Sequence, residues 1–245
     1  MNYKETKPHP AIADYIDAFW TTTNDERSAV FEKILPDGCV DIILNLGEDC
    51  KTDNGQFNIK NGEICLVGTM RHFKMTELKT ETKLLGVRFK PSAFSAFYKF
   101  GSLHEATDST ITLDKELSPD FNRVITESIG YLNQFFIKKL KPHPAPILMP
   151  VIADIKKQKG IISVVELTNR HFTTVRQLER HFKQHVGISP KEFINITRFQ
   201  FVHAAIQKKS SKKSMSEIAF EHGYYDHAHL ANAIKSYTGV TPNEL

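Results

Sequence analysis

The sequence predicts a two-domain α+β protein: an amino-terminal small β-barrel or sandwich with helices, then an all-α part built as a double helix-turn-helix. Three observations predict it. Short apolar runs of period two, separated by turn residues, fill the stretch from about Phe19 to Phe89. Three alternate prolines interrupt the chain in Lys141-Pro142-His143-Pro144-Ala145-Pro146. The residues that follow carry helix-period patterning that repeats itself at an offset of 52.

Taken in order, Val40, Ile42 and Leu44 alternate with Asp41, Ile43 and Asn45 behind the turn Pro36-Asp37-Gly38, and Leu85, Val87 and Phe89 alternate with Gly86 and Arg88. Both read as half-buried strands. Further short strands are expected at Ala29–Leu35, Gln56–Ile59, Glu63–Val67 and His72–Leu78, with Gly47, Asn54-Gly55 and Asn61-Gly62 as turns. Beyond Pro91 the pattern becomes helical, first as a short aromatic piece (Pro91–Phe100) and then over Pro119–Leu140. That long helix either packs on the barrel or forms a dimer seam. The prolines of 141–146 oppose helix and favour a stiff extended connector, dividing a domain of residues 1–140 from one of 147–245. After the connector, helices are expected at Ile147–Lys159, Val164–Arg170, Thr174–Val186, Pro190–Lys208, Met215–His222 and Asp226–Tyr237, with a polar basic break at Lys208–Ser214 and stops at Gly160, Gly187, Gly223 and Gly239.

Composition narrows the function. No apolar run reaches membrane-spanning length and the start is polar, so a membrane span and a secretory signal are not expected and the compartment reads as cytoplasmic. Cys39, Cys50 and Cys65 form no CxxC pair, which argues against a disulfide framework or a zinc site; no cofactor or metal is expected. Charge is unevenly divided: residues 151–245 hold 14 Lys+Arg against 8 Asp+Glu, leaving 18 against 20 for the rest. A basic half of this kind meets a polyanion or simply presents a solvated face.

The repeat favours the polyanion. Leu178 matches Leu230, Phe182 matches Ile234, Lys183 matches Lys235, Gly187 matches Gly239 and Pro190 matches Pro242. Each copy is a short helix, a tight turn and a longer helix. In Thr174–Val186 an apolar stripe of Val175, Leu178 and Phe182 should bury, leaving Arg176, Glu179, Arg180 and Lys183 outward, with Thr174 at the helix start. In Asp226–Tyr237, Leu230 and Ile234 take the core, leaving His227, Ala228, His229, Asn232 and Lys235 for contacts. Such helices fit the major groove, where Arg pairs with guanine and Asn with adenine. Plainer roles stand beside these: Asp226 as a helix N-cap, Glu179 paired with Lys183, Arg180 in a surface ion pair, and His227 and His229 on phosphate or merely exposed.

Leu178-Glu179-Arg180-His181-Phe182-Lys183, then Gly187-Ile188-Ser189-Pro190, Arg198, Ala204, Ile218-Ala219, Gly223-Tyr224, Asp226 and Gly239-Val240-Thr241-Pro242 together resemble the AraC/XylS family of bacterial transcription regulators. The resemblance covers about the last 100 residues. It implies two helix-turn-helix units joined by a long central helix, whose reading helices enter successive major grooves. By it, reading positions fall on Arg176, Glu179 and Arg180 in the first unit and on His227, Ala228 and Asn232 in the second. Where the family carries Ser, Phe, Arg and Phe in the second reading helix, this chain has Ala228, Leu230, Asn232 and Ile234, which shifts the expected specificity to the first unit. The family also places a variable sensor or dimerisation domain first. Leu35-Pro36-Asp37-Gly38-Cys39-Val40-Asp41-Ile42-Ile43 with Gly86-Val87-Arg88-Phe89-Lys90-Pro91 resembles an uncharacterised amino-terminal domain of some members.

A small barrel offers an inward face for a ligand. Asp41, Asn45 and Arg88 lie on the polar face of otherwise apolar strands, and an inward Arg88 would favour a carboxylate or phosphate; an Asp41–Arg88 ion pair is the alternative. Trp20, Arg71 and His72 complete the candidate ligand set. Enzyme motifs are not visible: the histidines of the first half are scattered, and no Gly-rich phosphate loop, GxSxG or HExxH is present. Cys39 follows a turn and keeps a redox- or alkyl-sensing variant open. The expectation is thus a regulator that binds double-stranded DNA under control of a small effector, an anion being the class an inward Arg88 favours, with RNA polymerase and a second copy as further partners. The alternative is an enzyme or thiol sensor whose basic half only anchors it to DNA.

Overall fold

A computed structural model describes residues 1–142, 144–208 and 214–245; His143 in the proline connector and residues 209–213 of the basic break lie outside the described residues. Ten strands precede the helical part: β1 (Asn2–Thr6), β2 (Ile16–Thr23), β3 (Val30–Ile34), β4 (Val40–Asn45), β5 (Cys50–Thr52), β6 (Phe57–Ile59), β7 (Ile64–Val67), β8 (Lys74–Leu78), β9 (Lys83–Phe89) and β10 (Thr110–Thr112). They form two antiparallel sheets, ordered β1-β2-β9-β4-β7-β10 and β3-β8-β5-β6. Both sheets keep open edges. The domain is therefore a sandwich and not a closed barrel.

The central strands of the six-stranded sheet are covered on both faces, more than their period-two alternation alone predicts, while edge strand β1 stays exposed. Val40, Ile42 and Leu44 of β4, with Leu85, Val87 and Phe89 of β9, face a core shared with Phe94, Phe97, Leu132 and Phe136. Their intervening neighbours face the smaller sheet, where Trp20, Leu84 and Ile43 meet Cys50 and Leu78. Register places Asp41 opposite Arg88, and Gly86 between Trp20 and Ile43. Gly86 is needed there, since a Cβ would stand 1.9 Å from the Trp20 ring.

Differences from expectation are local. Polar β1 is an edge strand, with Glu5 paired opposite Trp20 of β2. Pro91–Phe100 forms only a 3-10 turn, Ala93–Ala96, because Ser92 adopts φ +70° and the aromatic residues turn inward, with Phe94 stacked on Tyr98 at 4.6 Å. The long helix α1 (Phe121–Lys139) packs Val124, Leu132 and Phe136 on the sandwich.

Helices α2 (Leu148–Lys157), α3 (Val164–Arg170), α4 (Val175–His185), α5 (Pro190–Gln207), α6 (Met215–Glu221) and α7 (His227–Thr238) follow. Serine or threonine capping boxes start three of them, Thr174 with Gln177, Ser189 with Glu192 and Ser214 with Glu217, while Asp226 caps α7 through the His229 amide. Gly160, Gly187, Gly223 and Gly239 all take positive φ. Arg198 of α5 ties the two units together by donating to the Gly160 and Gly223 carbonyls at 2.9 and 3.2 Å.

Candidate functional site

The first unit pairs α3 with α4, the second α6 with α7. Leu178 and Phe182 are 1% and 0% exposed, and Leu230 and Ile234 are fully buried. Burial of each such side chain contributes about 1.5–3 kcal/mol, so these positions hold the reading helices against the rest and leave their other faces outward. On those faces Thr174, Arg176, Arg180 and Lys183 are exposed and Glu179 half-exposed; His227, Ala228, His229, Asn232 and Lys235 are exposed as well. No ion pair among the described residues engages Arg176, Glu179, Arg180 or Lys183. The guanidinium and ammonium groups of α4 are thus presented to solvent.

The opposite ends of both helices rest on the sandwich. The last carbonyls of a helix have no partner within it. Here the Lys183 carbonyl accepts from Ser102 Oγ at 3.2 Å, that of Val186 from Thr69 Oγ1 at 2.5 Å, and that of Gly187 from Thr107 Oγ1 and His104 Nδ1 at 2.7 and 2.8 Å. His185 Nδ1 lies 2.8 Å from Ser95 Oγ. For α7, Lys33 Nζ donates to the Thr238 carbonyl at 2.7 Å, His72 Nδ1 lies 3.3 Å from the Ser236 carbonyl, and the Phe73 ring covers Gly239. A lysine at a helix carboxyl end also complements the helix dipole. Sequence reasoning missed this seam because its acceptors are backbone carbonyls, which no side-chain pattern announces.

A cavity of about 360 Å³ opens between the sheets, within the range of small-molecule sites. Trp20, Asp41 and Arg88 line it, as does Asp37. Trp20 Nε1 donates to Asp41 Oδ1 at 2.6 Å. Burial pushes the Asp41 carboxyl up to about 6, against the opposing pull of Arg88. Glu32, on the opposite sheet, is raised by burial as well. Arg88 Nε lies 3.6 Å from both Asp37 Oδ2 and Asp41 Oδ1, and its Nη1 is 3.3 Å from Glu5. Although desolvation works the other way, the Asp41 and Asp37 carboxylates hold that guanidinium's pKa above its ordinary value. Arg88 is therefore not an unengaged anchor for an anion: it already sits among three carboxylates.

The other ligand candidates lie elsewhere. Asn45 is fully buried, its amide donating to the Glu48 and Ile59 carbonyls while Oδ1 accepts from Gly47 N, so it locks a turn and does not line the cavity. Arg71 pairs with Asp108 at 2.7 Å and approaches Glu192 of α5 at 3.5 Å, and His72 sits against α7; both belong to the seam. Burial, then Asp37 and Asp41, raise the Cys39 thiol well above its ordinary value, and burial pushes Cys50 and Cys65 up to about 12. Such thiols are poor nucleophiles. Among the described residues no group of three His, Cys, Asp or Glu is placed to hold a metal, and no helix is long and apolar enough to cross a membrane.

Residues 167–245 match a family model described as a helix-turn-helix domain, and part of the chain is similar to proteins named HTH-type transcriptional activator RhaS and HTH-type transcriptional regulator MtrA. This part of the chain is an AraC-type DNA-binding domain. Residues 4–112, ahead of the AraC-type domain, match a model described as a domain of unknown function (DUF6597). The chain is 30% identical over 84 residues to the HTH-type transcriptional activator RhaS of Escherichia fergusonii, covering 34% of this chain and 30% of that one. It is 38% identical over 65 residues to an uncharacterised HTH-type transcriptional regulator of Haemophilus influenzae, covering 26% and 21%. The chain thus spans less than a third of the length of these curated relatives. Among solved structures, ToxT of Vibrio cholerae shares the arrangement at a TM-score of 0.50 and 11% identity, over 100% of this chain and 97% of that one. The likeness is one of fold: a sandwich followed by two helix-turn-helix units.

Proposed function

We propose that the chain is a sequence-specific DNA-binding transcription regulator controlled by a small molecule held between its sheets, with residues 1–140 as sensor, 141–146 as connector and 147–245 as DNA-binding domain. The observation that carries the DNA part is the exposure of Arg176 and Arg180 on α4 and of His227, Ala228 and Asn232 on α7 while the carboxyl ends of both helices rest on the sandwich. Arg176 and Arg180 would address guanines and Asn232 an adenine, with Thr174, Lys183, His227, His229 and Lys235 on phosphates, over about two helical turns of DNA.

Two short routes support control by a ligand. Val67 and Met70 line the cavity, and Thr69 between them bonds the end of α4. Asp37 lines it too, and the next residue, Gly38, meets the Phe193 ring of α5, where a Cβ would stand 2.5 Å away. A ligand that binds one setting of these loops better than another shifts the presentation of α4 by the difference.

The test is to select genomic fragments with the purified full chain, then measure affinity for the recovered site and a random duplex across salt concentrations. The proposal expects a preference of at least about 10³-fold for the recovered site at physiological salt. Equal affinity for both duplexes, with the same salt slope, would leave only electrostatic anchoring.

A further inference from the structure

We infer that the inter-sheet cavity takes an organic monocation, an amine with an apolar body, and not an anion. The inference rests on the reading of the cavity as the effector site and names the class of effector.

Every cation at the cavity wall is already engaged. Lys74 Nζ lies 2.6 Å from Asp53 Oδ1 in a buried pair, and Asp53 also accepts from Thr110 N and Oγ1. Lys33 points to the seam, donating to the Thr238 carbonyl with its ammonium 5.0 Å from the Phe73 ring centre. Arg88 is surrounded by Glu5, Asp37 and Asp41. An incoming carboxylate would find no uncommitted positive charge.

Negative charge, by contrast, is left uncommitted. Glu32 lines the cavity and makes no ion pair among the described residues; only desolvation acts on its carboxyl. Asp41 and Asp37 share the single Arg88. The rings of Tyr3 and Trp20, both on the wall, stand 6.1 Å apart at an interplanar angle of 32°, a pair of π faces next to those carboxylates. Carboxylates with aromatic faces are what recognise an ammonium group. Deeper in, Ile43, Leu78 and Leu84 accept an apolar body. Thr22, only 3% exposed, also lines the cavity, and its Oγ1 has no hydrogen-bond partner. A second polar atom on the ligand would satisfy it.

Trp20, the chain's one tryptophan, reports occupancy by fluorescence. The full chain is titrated with 4-phenylbutylamine, 4-phenylbutan-1-ol and 4-phenylbutanoate, equal in body and different in charge, and the affinity for a selected DNA fragment is measured at saturation. The amine is expected to shift Trp20 emission saturably and to bind about tenfold or more tighter than the carboxylate and the alcohol. In Glu32→Gln/Asp41→Asn, with its melting transition retained, that ratio is expected to collapse toward one. Equal or tighter binding of the carboxylate or the alcohol overturns the charge assignment while leaving an effector site in place. Amine preference without any change in DNA affinity supports the assignment and removes the reading of ligand control. Failure of all three probes to move Trp20 at millimolar concentration overturns both.

Discussion

Replacing Thr69 by Val tests whether the sandwich truly holds the first reading helix. Thr69 is 0% exposed, and its hydroxyl donates to the Val186 carbonyl at the carboxyl end of α4. Valine keeps the shape and removes the donor, so the carbonyl stays buried with no partner. An unsatisfied buried polar group of this kind costs about 1–3 kcal/mol, whereas replacing an exposed hydroxyl costs little. At the same time the last turn of α4 loses one of its few tethers. Denaturant unfolding of the full chain should show the midpoint falling by that free energy at constant slope, and amide exchange in residues 183–187 should accelerate more than in β4. A change under about 0.5 kcal/mol, the size expected of a surface substitution, would refute the reasoning by showing that water reaches the Val186 carbonyl and the seam is open.

Three further outcomes are expected. Arg180→Ala should weaken binding to the selected site by about 1–3 kcal/mol and relax preference at one base pair, checked by repeating the selection with the variant. Because burial raises the Asp41 carboxyl to about 6, the folded chain holds that proton more tightly than the unfolded one; the resulting stability is fully present only below the ordinary carboxyl value of 3.8 and is lost as pH rises from there through about 6. Asp41→Asn should flatten the stability profile across that window in thermal melts. Gly86→Ala would set a methyl 1.9 Å from the Trp20 ring, so a loss of about 1–3 kcal/mol and a red shift of Trp20 emission are expected in denaturation followed by fluorescence.

The parts of the fold that were legible are those whose pattern is local. Leu178 and Phe182 of the apolar stripe, and the helix cap at Asp226, depend on neighbours a turn away, and α3 to α7 lie where that spacing puts them, whereas Val175, expected in the same stripe, sits in the first turn of α4 and is 46% exposed. The central strands β4 and β9 were legible for the same reason, period two being written in their own residues. What escaped depends on distant partners. Nothing in Asn2–Thr6 shows that β2 will pair with it, and no pattern distinguishes Asn45, satisfied by backbone groups of its own turn and of β6, from Asp41, which faces the cavity. An Asp41–Arg88 pair was one of the two readings open from the sequence, but that three carboxylates would converge on Arg88 from β1, the 36–39 turn and β4 follows only from the sheet order.

Contact between the sandwich and the helix ends bears on modularity. Proteins assembled from a sensor and a DNA reader invite recombination, one sensor exchanged for another at the connector. Here a foreign partner lacking counterparts of Thr69, His104 and Thr107 would leave the Val186 and Gly187 carbonyls bare, and one lacking Lys33 would do the same to Thr238. Chimeras cut at residue 141 therefore need those few polar side chains grafted with them, even where both donor modules are sound on their own.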